Sequence, residues 1–485
     1  MAEQGGRLAR RSSTTVGSTS VGRRRSYDTA TRWRYNATTA TTSGNWAGKA
    51  KSGKGRRAAM MAKQVKDDLM DASGQLKLGR RHRPDYLIFL LAVGLAVFGI
   101  VIIYSISSGL YDGDTQTINR EMFKRVGFLI LGIIAFLLAS RISLNTWKKW
   151  SPYIFLIGLV ICIALPILGW LDVPIATCTL GACRWYNLGI TSFQPAELLK
   201  LGTVLFMAGY LSTRLANGKL DSRGTLIEVL IVMLISLGAI VGLQKDMGTG
   251  IALLAIFAMQ LYMSGMAMRQ LLVIAGVMLA LMVALIIAAP HRIERMMTYF
   301  QSGNEETDYH ITQALIGLGS GGLTGRGLGQ SVQAFGWLPE AVNDSIFAII
   351  GETLGFIGTS ALVIVFAWLI ARMFKKTNYL DNMYLRLVVV GVVGWFTAHV
   401  LLNIMAMTHI IPLTGITLPL VSSGGTSQVF VMISLGLVFG ISRYTSHRRI
   451  SASDVSENKM GGADEDSVRG RWQRWTHNSN RGGNK

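Results

Sequence analysis

Cysteine is scarce in this chain: three occur among 485 residues, alongside nine prolines and seven histidines. So few exclude a disulfide-rich scaffold. Cys178 and Cys183 also lack a nearby His or second Cys pair, which argues against a zinc site. Charge is short too, at 15% against 50% hydrophobic residues, and a mean hydropathy of +0.38 exceeds that of a soluble domain. The one glycine-rich stretch, 317–331, follows no strand pattern and ends in no GK[ST], so it is not a nucleotide-binding P-loop. Residues 1–84 contain no apolar run, so no cleavable signal peptide is expected and the first span serves as its own insertion signal. No internal repeat is visible, which argues against an inverted-repeat transporter.

What is present is apolar sequence in blocks of bilayer length. These recur at 86–106, 123–140, 152–171, 195–211, 226–243, 247–263, 271–289, 345–371, 385–407 and 426–441. The pattern predicts an all-α polytopic membrane protein of ten helices with a long loop between the seventh and eighth. Three regions follow. Residues 1–84 form a basic tail, rich in Ser, Thr, Gly and Arg, expected to be disordered apart from a hint of helix at 58–78. Residues 85–444 form the membrane domain, with 290–344 as its large loop, and 445–485 form a second disordered tail.

The formal charge of +21 sits at the ends. Residues 1–84 hold 19 Lys/Arg against 5 acids and 443–485 hold 9 against 5, leaving +3 between them. Basic tails beside spans point to cytoplasmic placement and to anionic lipid rather than to nucleic acid. Ten crossings put both tails on one side. Arg141, Lys148, Lys149, Arg214, Lys219, Arg223, Arg269, Arg372, Lys375 and Lys376 lie in the loops of that side, and the opposite loops are poorer. Loops 107–122, 172–194, 244–246, 290–344 and 408–425 then face outward, and Asp344 lies at the outer surface.

Charges at membrane depth are costly, so each is a candidate for function. Asp344 stands where a glycine-rich polar loop meets an apolar helix, as a reactive acid or, like Asn343, a helix cap. Glu197 and Lys200, three apart, share a helix face; they form an ion pair, or Lys200 also offers charge to a phosphate. Arg184, beside Trp185, is an interfacial anchor or a bidentate phosphate clamp. Asp246 caps the next helix or joins the site. Arg292 and Arg295 bind lipid headgroups or substrate. Glycines in 317–331 permit close approach of backbone to a ligand. Glu352, among Gly351, Gly355 and Gly358, is inside the bundle in a structural role. Pro412, Gly415 and Pro419 break the chain at membrane depth, predicting a buried or cavity-lining segment. His399 and His409 read as packing residues rather than metal ligands, and Cys162 as a packing residue. Cys178 and Cys183 close a CTLGAC loop, as a disulfide or as two free thiols.

Several of these motifs, in order, resemble the SEDS (FtsW/RodA/SpoVE) family of bacterial cell-wall polymerases. The strongest are GRGLGQS at 325–331, LPEAVNDSIFAIIGETLG at 338–355 and PLTGITLPLVSSGGTS at 412–427; QPAELLK at 194–200 and DMGT at 246–249 are weaker. The chain departs from the family pattern at Ala196, at Lys245 and Met247, at Ser423, and at Ala334 and Val342, where a lysine and a histidine are usual. The resemblance implies a peptidoglycan glycosyltransferase that joins lipid II outside the bacterial cytoplasmic membrane, with Asp344 as general base. Lys200, Arg184 and Arg292 would hold the lipid pyrophosphate, with Glu197, Asp246, Gln330, Ser422, Gly424 and Ser427 lining the substrate site. No cofactor is certain; a divalent ion, Mg or Mn, could share the work, although no dedicated ligand cluster is visible. The implied partners are polyprenyl-pyrophosphate-linked glycan, a class B penicillin-binding transpeptidase and other divisome proteins. LPEAVNDSIFAIIGE and the basic tail favour the division branch over the elongation branch. A lipid-linked precursor flippase and a non-enzymatic division scaffold are the alternatives.

Overall fold

The computed structural model describes Leu76, Leu78 and residues 82–179, 182–189, 191–287 and 305–445, all within the unit Gly48–Lys485. The rest of both tails lies outside the described residues, as do the remainder of the helix hinted at 58–78, and Arg292 and Arg295.

Helix is found at each of the ten apolar blocks. In chain order these are α1 (Tyr86–Leu110), α2 (Thr115–Arg141), α3 (Leu144–Trp170), α4 (Pro195–Ala216), α5 (Arg223–Leu237), α6 (Met247–Ser264) and α7 (Met268–Ile287). After them come α8 (Glu305–Ser320), α9 (Ile346–Thr377), α10 (Met383–Met407) and α11 (Thr426–Ile441). Their starts are chemically marked: the side chains of Asp85, Asp114 and Ser143 accept backbone N–H bonds at the heads of α1, α2 and α3. Among the described residues eight helices are long and apolar enough to cross a membrane: α1, α2, α3, α5 with its π-helical extension Gly238–Leu243, α6, α9, α10 and α11. Glu197 and Lys200 lower the hydropathy of α4, and the apolar stretch of α7, Met268–Ala284, is shorter.

Two features depart from the sequence reading. An antiparallel sheet, β1 (Ala176–Thr179), β2 (Ala182–Asn187) and β3 (Ser192–Phe193), stands in the 172–194 connection, so the fold is mostly rather than wholly helical. The loop 290–344 contains a helix, α8, and two of its glycines, Gly321 and Gly325, closely approach another helix. A Cβ on Gly321 would lie 1.9 Å from the Gly351 carbonyl oxygen, and one on Gly325 2.2 Å from that of Thr353. That contact repairs a break. α9 is interrupted at Gly355 (φ 65°, ψ −165°), and four of its backbone groups are satisfied by the loop. Arg326 and Gly327 donate to Glu352 and Thr353 carbonyls, at 2.9 and 3.0 Å; Phe356 and Ile357 donate to Gly322 and Leu323 carbonyls, at 2.9 and 3.1 Å. Below the break, Asp85 receives Arg372 and Lys376, each at 2.7 Å, and holds the far end of α9 against α1.

Glycines bring the spans together as lipid-embedded packing requires. Gly158 and Gly202 press α3 against α4, and Gly436 presses α11 against α2. α10 is the axis, with 78% of its apolar window buried against 17% for α3. Where α4 meets α10, Lys200 is wholly buried, and all of its company is protein. Its Nζ donates to Glu197 Oε1 at 2.7 Å, lies 2.9 Å from His399 Nε2 and sits 5.0 Å from the Trp395 ring centre.

Removing one member of a buried pair strands the other charge, so Lys200→Ala should destabilise the fold by about 3–5 kcal/mol. The measurement is thermal unfolding in detergent, in which the uncharged double variant Glu197→Gln/Lys200→Met should recover most of the loss. A Cβ on Gly436 would meet the Phe136 carbonyl oxygen at 2.3 Å, whereas nothing lies within 4 Å of one on Gly94. Gly436→Val should therefore lose about 1–3 kcal/mol, while Gly94→Ala leaves the melting temperature unchanged.

Candidate active site

Asp344 lies in the turn Leu338–Ser345 that feeds α9, because Pro339 and Glu340 (φ 52°) bend the chain there. The N-cap of α9 is Ser345, which makes no side-chain capping bond, so neither Asn343 nor Asp344 caps the helix. The Asn343 side chain donates to Glu340 instead. Ser345 donates to the Pro339 carbonyl at 2.8 Å and meets His310 Nε2 of α8 at 2.8 Å. Against this turn runs the broken segment 412–425. Ser423 donates its N–H to the Val342 carbonyl at 2.8 Å, and a Cβ on Gly415 (φ 67°) would lie 3.9 Å from Asp344 Oδ2. From α10, the Asn403 amide donates to the Asp344 and Ile416 carbonyls, each at 2.7 Å.

The half-buried carboxylate has one oxygen, Oδ1, buried with no hydrogen-bond partner among the described residues. Burial, reinforced by the negative charge of Glu340, pushes the Asp344 carboxyl up to about 6; the backbone N–H groups of Asp344 and Ser345 pull the other way. Such a group is ionised at neutral pH and basic enough to take a proton from a bound hydroxyl.

The other sequence candidates divide. Lys200 and Glu197 form the buried pair described above, so in this state Lys200 faces no opening and its expected contact with a phosphate is replaced by Glu197 and His399. Arg184, half-buried on β2, spends Nη2 and Nε on the carbonyls of Lys245 (2.7 Å) and Gln244 (3.4 Å), leaving the rest of its fork unassigned. Asp246 caps α6 through the N–H (2.9 Å) and hydroxyl (2.8 Å) of Thr249 and faces Gln194. Ser422, Gly424 and Ser427 build the turn into α11: Leu418 donates to Ser422 Oγ, and Ser427 donates to the Gly424 carbonyl. That turn touches the sheet, with Thr426 donating to the Ser192 carbonyl at 3.3 Å. Pro412, Gly415 and Pro419 lie in the non-helical run as expected of helix breakers. Gln330 is exposed on the glycine loop. Glu352, fully buried, gathers that loop by accepting from Ser331 Oγ and from the N–H groups of Val332 and Gln333. Ala334 is buried beneath it. Cys178 and Cys183 are cross-strand partners joined in a disulfide that lies on Gly169 of α3. Arg292 lies outside the described residues.

Among the described residues no three or more His, Cys, Asp or Glu side chains converge, so they do not form a dedicated metal site.

Three site residues were not singled out from the sequence: His399 in its contact with Lys200, Asn403, and His310, whose proton affinity burial lowers so that its ring is neutral at pH 7. One signal was available, since Trp395, His399 and Asn403 recur every fourth residue and so share a helix face.

Residues 85–447 match the family described as cell cycle protein, FtsW/RodA/SpoVE. The stage V sporulation protein E of Bacillus subtilis is 30% identical over 370 residues, which are 76% of this chain and 99% of that one. Proteins named probable peptidoglycan glycosyltransferase FtsW are similar at 31% identity: that of Aliivibrio salmonicida over 72% of this chain and 87% of its own, that of Escherichia coli O6:H1 over 76% and 88%. Among solved structures, a chain of a peptidoglycan synthase complex has the same fold at a TM-score of 0.61 and 21% identity, covering 75% of this chain and 99% of that one. The rod shape determining protein RodA of Thermus thermophilus gives 0.55 and 23%, over 75% and 98%. With the family matched over residues 85–447, nearly the whole described chain, and a relative 30% identical over almost its entire length, this protein belongs to the FtsW/RodA/SpoVE family.

Proposed function

We propose that the protein is a peptidoglycan glycosyltransferase that polymerises lipid II at the outer face of the bacterial cytoplasmic membrane during division, with Asp344 as general base. The observation that carries this reading is the half-buried Asp344 carboxyl, pushed up to about 6, with a free buried oxygen. The acceptor sugar hydroxyl gives its proton to Asp344 as its oxygen bonds to the donor's anomeric carbon. The bond from that carbon to the lipid pyrophosphate breaks, and the electron pair leaves with the pyrophosphate. Negative charge growing there needs cations. The unassigned donors of Arg184 suit this, with Arg292 from outside the described residues, while Lys200 supports the site from within.

The orientation rests on the excess of Lys and Arg in the loops that share a side with the tails. A class B penicillin-binding transpeptidase is the proposed partner, in keeping with the synthase complex that shares the fold. The relatives named FtsW and the sequence LPEAVNDSIFAIIGE favour division.

Purified protein given lipid II, with and without transpeptidase, should yield glycan chains on a gel. Lipid II that crosses liposomes without forming polymer would point to a flippase instead. Asp344→Asn should lower the rate by at least about 10²-fold. Because only the ionised carboxylate accepts the proton, the wild-type rate should climb as pH rises through about 6. The raised affinity means the folded state prefers the protonated form, so this group's contribution to stability is lost as pH rises through that value. Asp344→Asn should thus melt no lower than wild type at pH 7.5, and an active variant would overturn the assignment. For orientation, Gln330→Cys should react with a membrane-impermeant maleimide on intact cells; protection until lysis would reverse the topology.

A further inference from the structure

The α10 face that carries Trp395, His399 and Asn403 touches both halves of the centre. His399 meets Lys200 Nζ at its Nε2 and reaches the Thr417 backbone as well. With an ammonium group facing Nε2, that nitrogen accepts, which leaves the ring's other N–H to donate to the segment 412–425. One turn further on, about 6 Å along the axis, the Asn403 amide spans the Asp344 and Ile416 carbonyls. His399 and Asn403 are 4% and 1% exposed, so water does not substitute for either set of bonds. On the Asp344 side chain Oδ1 has no partner among the described residues, and Gly415 opposite has no side chain. The backbone at Asp344 therefore takes its place from α10.

We propose that His399 and Asn403 are positioning residues: Asn403 sets the Asp344 carboxylate against segment 412–425, and His399 locks that segment to the buried Lys200. Neither touches substrate. The proposal rests on Asp344 being the general base. Asn403→Ser removes the amide that bridges the Asp344 turn and the segment 412–425, while the Asp344 carboxyl group and the neighbouring Glu340 are both retained.

The test is steady-state polymerisation of lipid II by the full-length protein, as a function of pH, with thermal unfolding measured on the same preparations. Asn403→Ser should reduce kcat by about tenfold to a hundredfold through misplacement of the base, with KM little changed and the acidic limb of the pH profile displaced. His399→Leu should reduce kcat as well, and His399→Gln, which keeps an acceptor for Lys200 and a donor for Thr417, should restore it. A rate that falls only in proportion to folded protein, with the pH limb unmoved, overturns the proposal, as does an unchanged kcat. If Asn403→Ser does not fold, the His399→Leu and His399→Gln pair decides by the same readings. Asp344→Asn run in parallel separates the two readings. Activity there sinks the base assignment, whereas an inactive Asp344→Asn beside a fully active Asn403→Ser sinks only the positioning role.

Discussion

A single buried ammonium group sets the terms for this molecule. Lys200 lies at the centre of the bundle with no exposure, and a charge taken from water into such surroundings is tolerated only with close, well-aimed partners. Glu197 supplies the counter-charge from the same helix, and the remaining directions are filled from α10 by a ring nitrogen and an indole face. α4 and α10 are thereby fixed in rotation as well as in distance. Because α10 is fixed there, its next turn is fixed too, and that turn holds the backbone of Asp344. The placement of Asp344 thus depends on electrostatics in the bundle interior.

Around the acid, the outer elements restrain one another through backbone groups more than through side chains. The sheet reaches the turn into α11, Arg184 ties β2 to the end of the π-helical extension, and Glu352 gathers the glycine loop. Asp246 and Ser422 serve as local caps. The result is a hydrogen-bonded rim around a carboxylate of which one oxygen has no partner among the described residues.

Much of this was legible in the sequence because bilayer length and helical spacing are written locally. Apolar blocks gave the helices, a spacing of three gave the Glu197–Lys200 pair, and an acid at a polar–apolar junction gave Asp344. The glycines of 317–331 were visible, but a glycine does not announce which backbone it lets approach, and here the partner is α9. α8 escaped notice because it lies in a connection whose polar and glycine residues hide its period. The His399–Lys200 contact joins residues 199 apart, and the Asn403–Asp344 contact joins residues 59 apart. Such pairings are made by tertiary packing, so no local pattern encodes them. The cysteine pair was legible as a choice between two states, which strand register resolved.

The interruption of α9 at Gly355 bears on how the chain assembles. A helix entering hydrocarbon with unmet carbonyls and N–H groups is unstable there, and the groups that meet them, at Gly322, Leu323, Arg326 and Gly327, precede the helix in the chain. Synthesis runs from the amino end, so the loop emerges first and waits for the span it will complete. The groups that complete α9 are therefore synthesised before it, and the order of the sequence is an order of synthesis.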